Sequence, residues 1–550
     1  MNRTSLHRTL ARAAALALVA ALALPAVGAA LPRAAAAPAL SAADWTQVAE
    51  LIAADAGEED GFGFSVAISE DTLVVGAPWH GDNTGAVYVF ERSGSIWAQQ
   101  AMLTIQDGAW GDQFGYAVAI AGDTIVAGSP GHVAQGSTHA GTAYVFVRSG
   151  ASWAQQAELW AGDGGWFDWF SGSVAISGDT IVVGAPHHRV GSYGMAGAAY
   201  VFVRSGGSWA QQAELSASDG GPGDQLGTSV AIDGDTVVAG APEYHVGLVN
   251  SVGAAWVFVR SGSSWAQEAR LDSSDGAASD GFGRSVAVTG DTIVAGAPGH
   301  EMGETPYAGA VYVFTRSGAS WAQQAELSAG ASLGSAFWLG WSVGISGDTI
   351  VAGAPWSSPD EDPNGTGSAF VFVRSSSGWA QHQRLATGGV EYEFASSVAI
   401  AGGTIVAGAP SHQVGTIPWA GAAYVFERPA PPAPLCERAD VAAVIYGAWE
   451  GTPVRAWVGG TEQPTLYTAH DAFGRQAVLW TFYPPASTSW TVRVEPQLPP
   501  GLESPRWQFR LVWIEPASPG FQPAQVGRAV TIGRCSGTVL HFQLVDTGAE

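Results

Sequence analysis

Lysine is absent from the chain, and all 23 basic residues are arginine. Set against 48 acidic residues they leave a formal charge of -25, a surface that repels phosphate backbones and anionic lipid, which excludes nucleic acid and membrane surfaces as expected partners. Charge of either sign is scarce, at 13% of residues. Long helical patterning is missing after residue 40, and beyond the N-terminus no run is long and apolar enough to span a bilayer. Cysteine occurs only at Cys436 and Cys535. Glycine, by contrast, is abundant at 73 residues, which fits many short strands joined by tight turns.

The N-terminus carries Arg3, Arg8 and Arg12, an apolar run from residue 13 to 30, and a small-residue segment ending at Ala37. Basic, hydrophobic and cleavage regions in that order read as an export signal over residues 1–37. The competing reading is an uncleaved membrane anchor, for which the run is at the short end. A secreted or cell-surface location is therefore expected, and there the two cysteines read as a disulfide rather than a metal or redox site.

The rest of the chain is organised around Ile181-Val-Val-Gly184-Ala185-Pro186. Its Gly-Ala-Pro ending recurs at Gly76, Gly240, Gly296, Gly353 and Gly408, with Gly128-Ser129-Pro130 as a variant, at spacings of 52, 56, 56, 56, 57 and 55 residues. A fixed period in this range marks an array of supersecondary units that bury their faces against neighbours. Within one unit, apolar runs at 173–176 and 180–183 flank the turn Gly178-Asp179 and read as strands A and B. Residues 197–203 are apolar on both faces, as a strand between two layers must be, and form strand C. The alternating segment 209–215, led by Trp209, is strand D. Four antiparallel strands per repeat describe a propeller blade.

The Trp-led strand also occurs seven times, at Trp45, Trp97, Trp153, Trp209, Trp265, Trp321 and Trp379, but out of phase. Its first copy precedes any strand A, and none follows the last strand C at 422–426. Residues 45–51 are thus expected to supply the outer strand of blade seven and close the ring, which removes the edges an open array would expose. The fold expected is all-β: a seven-bladed propeller over 38–428, a Pro-rich linker at 429–435, and a β-sandwich over 436–550, where strand-like runs lose the period.

Phe62-Gly63, Phe114-Gly115 and Phe282-Gly283, each followed about a dozen residues on by Gly-Ala-Pro, resemble the FG-GAP repeats of the integrin α-chain propeller and of many bacterial surface proteins. The Phe-Gly half is degraded to Leu226-Gly227, Phe170-Ser171 and Phe394-Ala395 elsewhere. A non-enzymatic recognition or surface-structural module is expected, and the resemblance implies, in calcium-binding members, an Asp-rich loop between strands A and B. Here that connection is a two-residue turn such as Gly122-Asp123 or Gly402-Gly403. It cannot assemble the six to eight oxygens calcium takes, so no cofactor is expected.

The untrimmed connections, D to A and B to C, lie at one end of the propeller, the expected binding face. A histidine follows the proline in six repeats: His80, His132, His188, His245, His300 and His412. It reads either as metal or acid-base chemistry or as a loop-locking hydrogen bond copied with the repeat. The second is preferred because equivalent positions in a seven-fold ring are too far apart to share an ion. The D-to-A loops repeat Asp-x4-Asp at 55/60, 107/112, 163/168, 219/224 and 275/280, read as turn and capping residues. An active site should break the symmetry, which singles out Trp166, Asp168 and Trp169 in blade three, Trp338 in blade six, and Glu391 and Tyr392 in blade seven. Aromatics beside carboxylates suit a glycan or protein ligand, or else plug the channel. A glycosidase or lyase working through lone carboxylates is the alternative, since it would leave no motif.

Overall fold

The computed structural model describes residues 44–133, 140–303, 305–329, 338–357, 366–387 and 393–428 with their side chains, and the backbone of strands between 439 and 546. Seven four-stranded antiparallel sheets occupy the first of these regions. In blade three the strands are A (Ser173–Ser177), B (Thr180–Ala185), C (Ala198–Ser205) and D (Ser208–Leu215). Strand B is buried along its whole length, because both of its faces meet a neighbouring blade. Strand D is wet on one side. Among the described residues no helix is long and apolar enough to cross a membrane.

The two halves of the repeat signature meet between blades. A Cβ on Gly184 would lie 2.0 Å from the carbonyl oxygen of Gly227 in the next blade, and Gly227 itself sits at φ +89°. No other residue type fits the first position, and the second favours glycine. Ser173 Oγ donates to that same carbonyl at 2.8 Å, so the blades are stitched as well as packed. Beneath, Phe170 is buried edge-on against Tyr200 and Phe202, at centroid distances of 5.6 and 6.0 Å.

Closure follows the phase offset. Thr46–Leu51 pairs antiparallel with Ala422–Glu427, from Thr46 opposite Glu427 to Leu51 opposite Ala423. It reproduces the register shift seen between strands C and D in the other blades. The inter-blade contact closes too: a Cβ on Gly408 would lie 1.9 Å from the Gly63 oxygen. Blade seven is therefore built from both ends of the array.

Beyond the linker, strands including Ala439–Tyr446, Gln476–Phe482, Trp507–Pro516 and Thr538–Asp546 form one sheet, and Pro453–Val458, Ser489–Pro496 and Ala529–Gly533 belong to another. The first contains a parallel pair, Ala439–Tyr446 with Thr538–Asp546. The sheet-on-sheet packing expected of a sandwich, the expected Cys436–Cys535 pair and the export signal lie outside the described residues.

Candidate functional site: the loop face of the propeller

Each strand A is entered through the residue after Phe-Gly, and each strand B is left through the residue after Gly-Ala-Pro. Both positions point the chain at the propeller axis. A cavity of about 440 Å³ is lined by Phe64, Tyr116, Gly172, Thr228, Arg284, Trp341 and Ser396, the post-Phe-Gly residue of every blade in turn. A space that takes one wall residue from each of seven blades must sit on the axis. Trp79, His187 and Trp356 add a second tier, and Trp169 and Glu393 complete the rim. A second hollow of about 360 Å³ adjoins it over blades four to six and shares Arg284 and Trp341.

Arg284 is the cation of this cavity. Its guanidinium stacks 4.2 Å over Trp341, and burial draws it below the ordinary arginine value, Tyr116 and Glu243 acting the other way. No ion pair forms on it among the described residues. Trp341 packs edge-on against Trp356 at 4.8 Å and Trp338 at 5.6 Å, and Trp338 stacks on Tyr307 at 5.5 Å. Glu393 accepts from Ser411 Oγ at 2.6 Å, and Glu243 accepts from Ser251 Oγ at 2.6 Å. The arrangement offers aromatic faces, one guanidinium and two carboxylates around two adjoining, partly open hollows.

The residues singled out in the sequence land in different places. Trp169 stacks on His187 at 5.2 Å and lines the axial cavity, and Trp338 lines the second hollow, so both are half-buried rather than exposed. Trp166 is 71% exposed at the loop tip beside Phe167. Asp168 departs from its reading as a ligand-facing acid: it is 4% exposed, and it accepts from the Gly165 N–H at 2.7 Å and from His188 Nδ1 at 2.7 Å. Burial opposes its ionisation, but those two bonds outweigh it and hold Asp168 below the usual carboxylate value. Glu391 and Tyr392 lie outside the described residues.

The Asp-x4-Asp and histidine pattern resolves into one local device. The second aspartate caps its loop and accepts from histidine Nδ1, at 3.0 Å in blades one and two and 2.9 Å in blade five. The first accepts from the strand C tyrosine, as Tyr200 to Asp163 Oδ1 at 3.0 Å and Tyr312 to Asp275 Oδ1 at 2.8 Å. The copied loop-locking bond is therefore present for His80, His132, His188 and His300, whereas His245 Nδ1 accepts from the Ser251 N–H at 3.1 Å. Its other ring nitrogen has a second neighbourhood that the sequence reading missed: His188 Nε2 lies 3.7 Å from Asp163 Oδ2 and 3.8 Å from Glu214 Oε1, and His300 Nε2 lies 3.7 Å from Asp275 Oδ2 and 3.8 Å from Glu326 Oε1. The distance between blades is no bar to an ion here, because all the groups come from one blade. Burial pulls His188 down, yet Asp168, Asp163 and Glu214 together hold it above its ordinary value. Burial first, then the charge of Asp163, raises Glu214.

Compared with protein-family models, the chain matches the FG-GAP repeat six times, over residues 45–90, 97–146, 153–202, 209–258, 265–314 and 321–372. Each matched stretch starts at the Trp of one blade's strand D, or of the N-terminal strand, and ends in strand C of the next sheet along the chain. No curated protein matches the chain.

Proposed function

Because the chain belongs to the FG-GAP repeat family, we propose that it is an exported recognition module that binds a glycan or protein ligand at the loop face, with the axial cavity taking the recognised group. The observation that carries this reading is the ring Phe64, Tyr116, Gly172, Thr228, Arg284, Trp341 and Ser396. Seven structurally equivalent positions hold seven different residues, in a chain whose blades otherwise repeat almost residue for residue. Copying alone would have left them alike. A cavity of about 440 Å³ is in the range of small-ligand pockets, and aromatic walls with a few fixed polar groups are what such pockets use for orientation. Aromatic faces with a guanidinium suit a saccharide ring or the projecting side chains of a protein loop. The export signal read from residues 1–37 supports a place outside the cell.

The test is a glycan array and a pull-down with the chain from residue 38 onward, beside Trp341→Ala and Arg284→Ala. Binding that both substitutions reduce at least tenfold is expected. Ligand capture that neither touches would move recognition elsewhere, and turnover of a polysaccharide panel would make the protein an enzyme instead.

A further inference from the structure

Blades three and five each bring three metal-ligating atoms to one point, and we propose that each holds one divalent ion of the zinc class, through His188, Asp163 and Glu214 in one and His300, Asp275 and Glu326 in the other. In both sets the donor atoms lie within 4.8 Å of one another. Tetrahedral zinc, with bonds of about 2.0 Å, sets its ligands roughly 3.3 Å apart, so the histidine-to-carboxylate distances of 3.7 and 3.8 Å close by a few tenths of an ångström when an ion enters. One imidazole and two carboxylates are a donor set that zinc accepts, and three protein ligands leave one position to water.

Two observations besides the cluster itself point to an ion. The first is the histidine. His188 and His300 have side chains only 8% and 9% exposed, and each Nε2 faces its carboxylates without a hydrogen bond among the described residues. Their Nδ1 atoms are bound to the buried Asp168 and Asp280, which fixes the proton on Nδ1 and turns the Nε2 lone pair toward the site. A carboxylate behind the histidine and a donor behind the ligating aspartate, here Tyr200 or Tyr312, are the outer partners that orient metal ligands.

The second is the way the repeats vary. In blade four the position of Glu214 is Arg270, and its guanidinium pairs with Asp219, the counterpart of Asp163. The strand C residue facing it is then Trp256, whose Nε1 donates to Asp219 at 3.0 Å, and the histidine position is Tyr244. Blade six likewise pairs Arg384 with Phe370 and has Ser357 in place of the histidine. Where the histidine and glutamate go, a built-in cation arrives on the same strand. Blade one keeps His80, Asp55, Asp60 and Tyr88 but has Met102 at the glutamate position. Blade two has Glu158, but Gln155 holds it at 2.8 Å and it does not join the set. Blades three and five are the ones with all parts in place.

The test uses untagged protein from residue 38 onward, stripped with chelator and then titrated with zinc chloride, with bound metal counted by elemental analysis. Two ions per chain are expected. Glu214→Gln and Glu326→Gln, both on wet strand positions that folding tolerates, should each remove one, and together both. Asp168→Asn should weaken its site 10- to 100-fold while leaving the other unchanged. Met102→Glu should add one ion by completing blade one. No saturable uptake at micromolar zinc would overturn the proposal, since the histidines would then hold only protons. Uptake that the double glutamine variant retains would do the same, as adventitious surface binding.

Discussion

At the axis the seven blades differ from one another, and one strand further out they are copies. Phe170, Tyr200 and Gly184 have counterparts of the same or similar type around the ring, whereas the position of Arg284 is Phe64, Tyr116, Gly172, Thr228, Trp341 and Ser396 in the other blades. The copied layer sits between blades, where each residue must satisfy two neighbours at once, so a change at one blade is a misfit at the next. The axial layer faces space and is free to diverge. A third kind of position is the Asp, His, Tyr and Glu of the loop device, intact in blades three and five, lacking only its glutamate in blade one, and replaced by an arginine-centred set in blade four.

The hardest blow to the copied layer is to open it. Removing residues through Leu51 strips strand D from blade seven and exposes the edge of Ala422–Glu427, so the product should aggregate or melt far below the parent, whereas removal through Ala42 should leave size-exclusion and melting profiles unchanged. Next comes a single ring from the same layer. Phe170→Ala should cost about 3 to 5 kcal/mol, read from the denaturant midpoint, while Arg284→Met at the axis should cost nothing, because it removes a buried guanidinium that has no ion pair among the described residues. A Phe170→Ala midpoint equal to that of Arg284→Met would erase the distinction between the layers.

Smaller still is the histidine device. The hydrogen bond to Asp60, opposed by burial, raises His80 above the ordinary histidine value of 6.5. A histidine raised on folding adds stability that is fully present below the unfolded value and lost as pH rises through the folded one. The stability gap between wild type and His80→Gln should therefore be widest below pH 6.5 and shrink above it; a gap that grew with pH would refute the pairing. Least of all is the rim of the A-to-B turns. Asp179 accepts from Arg204 Nε at 2.6 Å but is 64% exposed, so Asp179→Asn should change stability by at most about 1 kcal/mol.

The blade count and the closure were legible because both depend on what recurs: seven Gly-Ala-Pro strands, seven Trp-led strands, and the offset between them. The axial ring escaped for the same reason. A search for similarity passes over the one position after Phe-Gly where residues as unlike as Phe64, Gly172 and Arg284 share a place. Trp169 and Trp338 were found as departures from the pattern, but their half-buried stacking on His187 and Tyr307 depends on left-handed backbone at φ +57° and +71°, which composition does not announce. Glu214 was hidden differently. It lies 26 residues past His188 inside the strand D signature, where it reads as an ordinary surface acid. Only the pairing of Tyr200 with Glu214 across strands C and D carries it to the histidine. The signal was available in the repeats themselves, since glutamate at that position accompanies tyrosine and histidine in blades two, three, five and seven, and arginine accompanies neither in blades four and six.

The seam of blade seven also decides how the propeller meets a pulling force. Thr46 lies opposite Glu427, so the chain enters and leaves side by side, at the end of the blade away from the loop face. Tension applied across the two exits would load the Thr46 pair first and open the strand like a zipper, one rung at a time, rather than shearing all its hydrogen bonds together. Such a load falls on the one seam that is not made from neighbouring stretches of chain. A tether on one side alone leaves that seam unloaded, so a protein held from a single end keeps its cavity intact under drag.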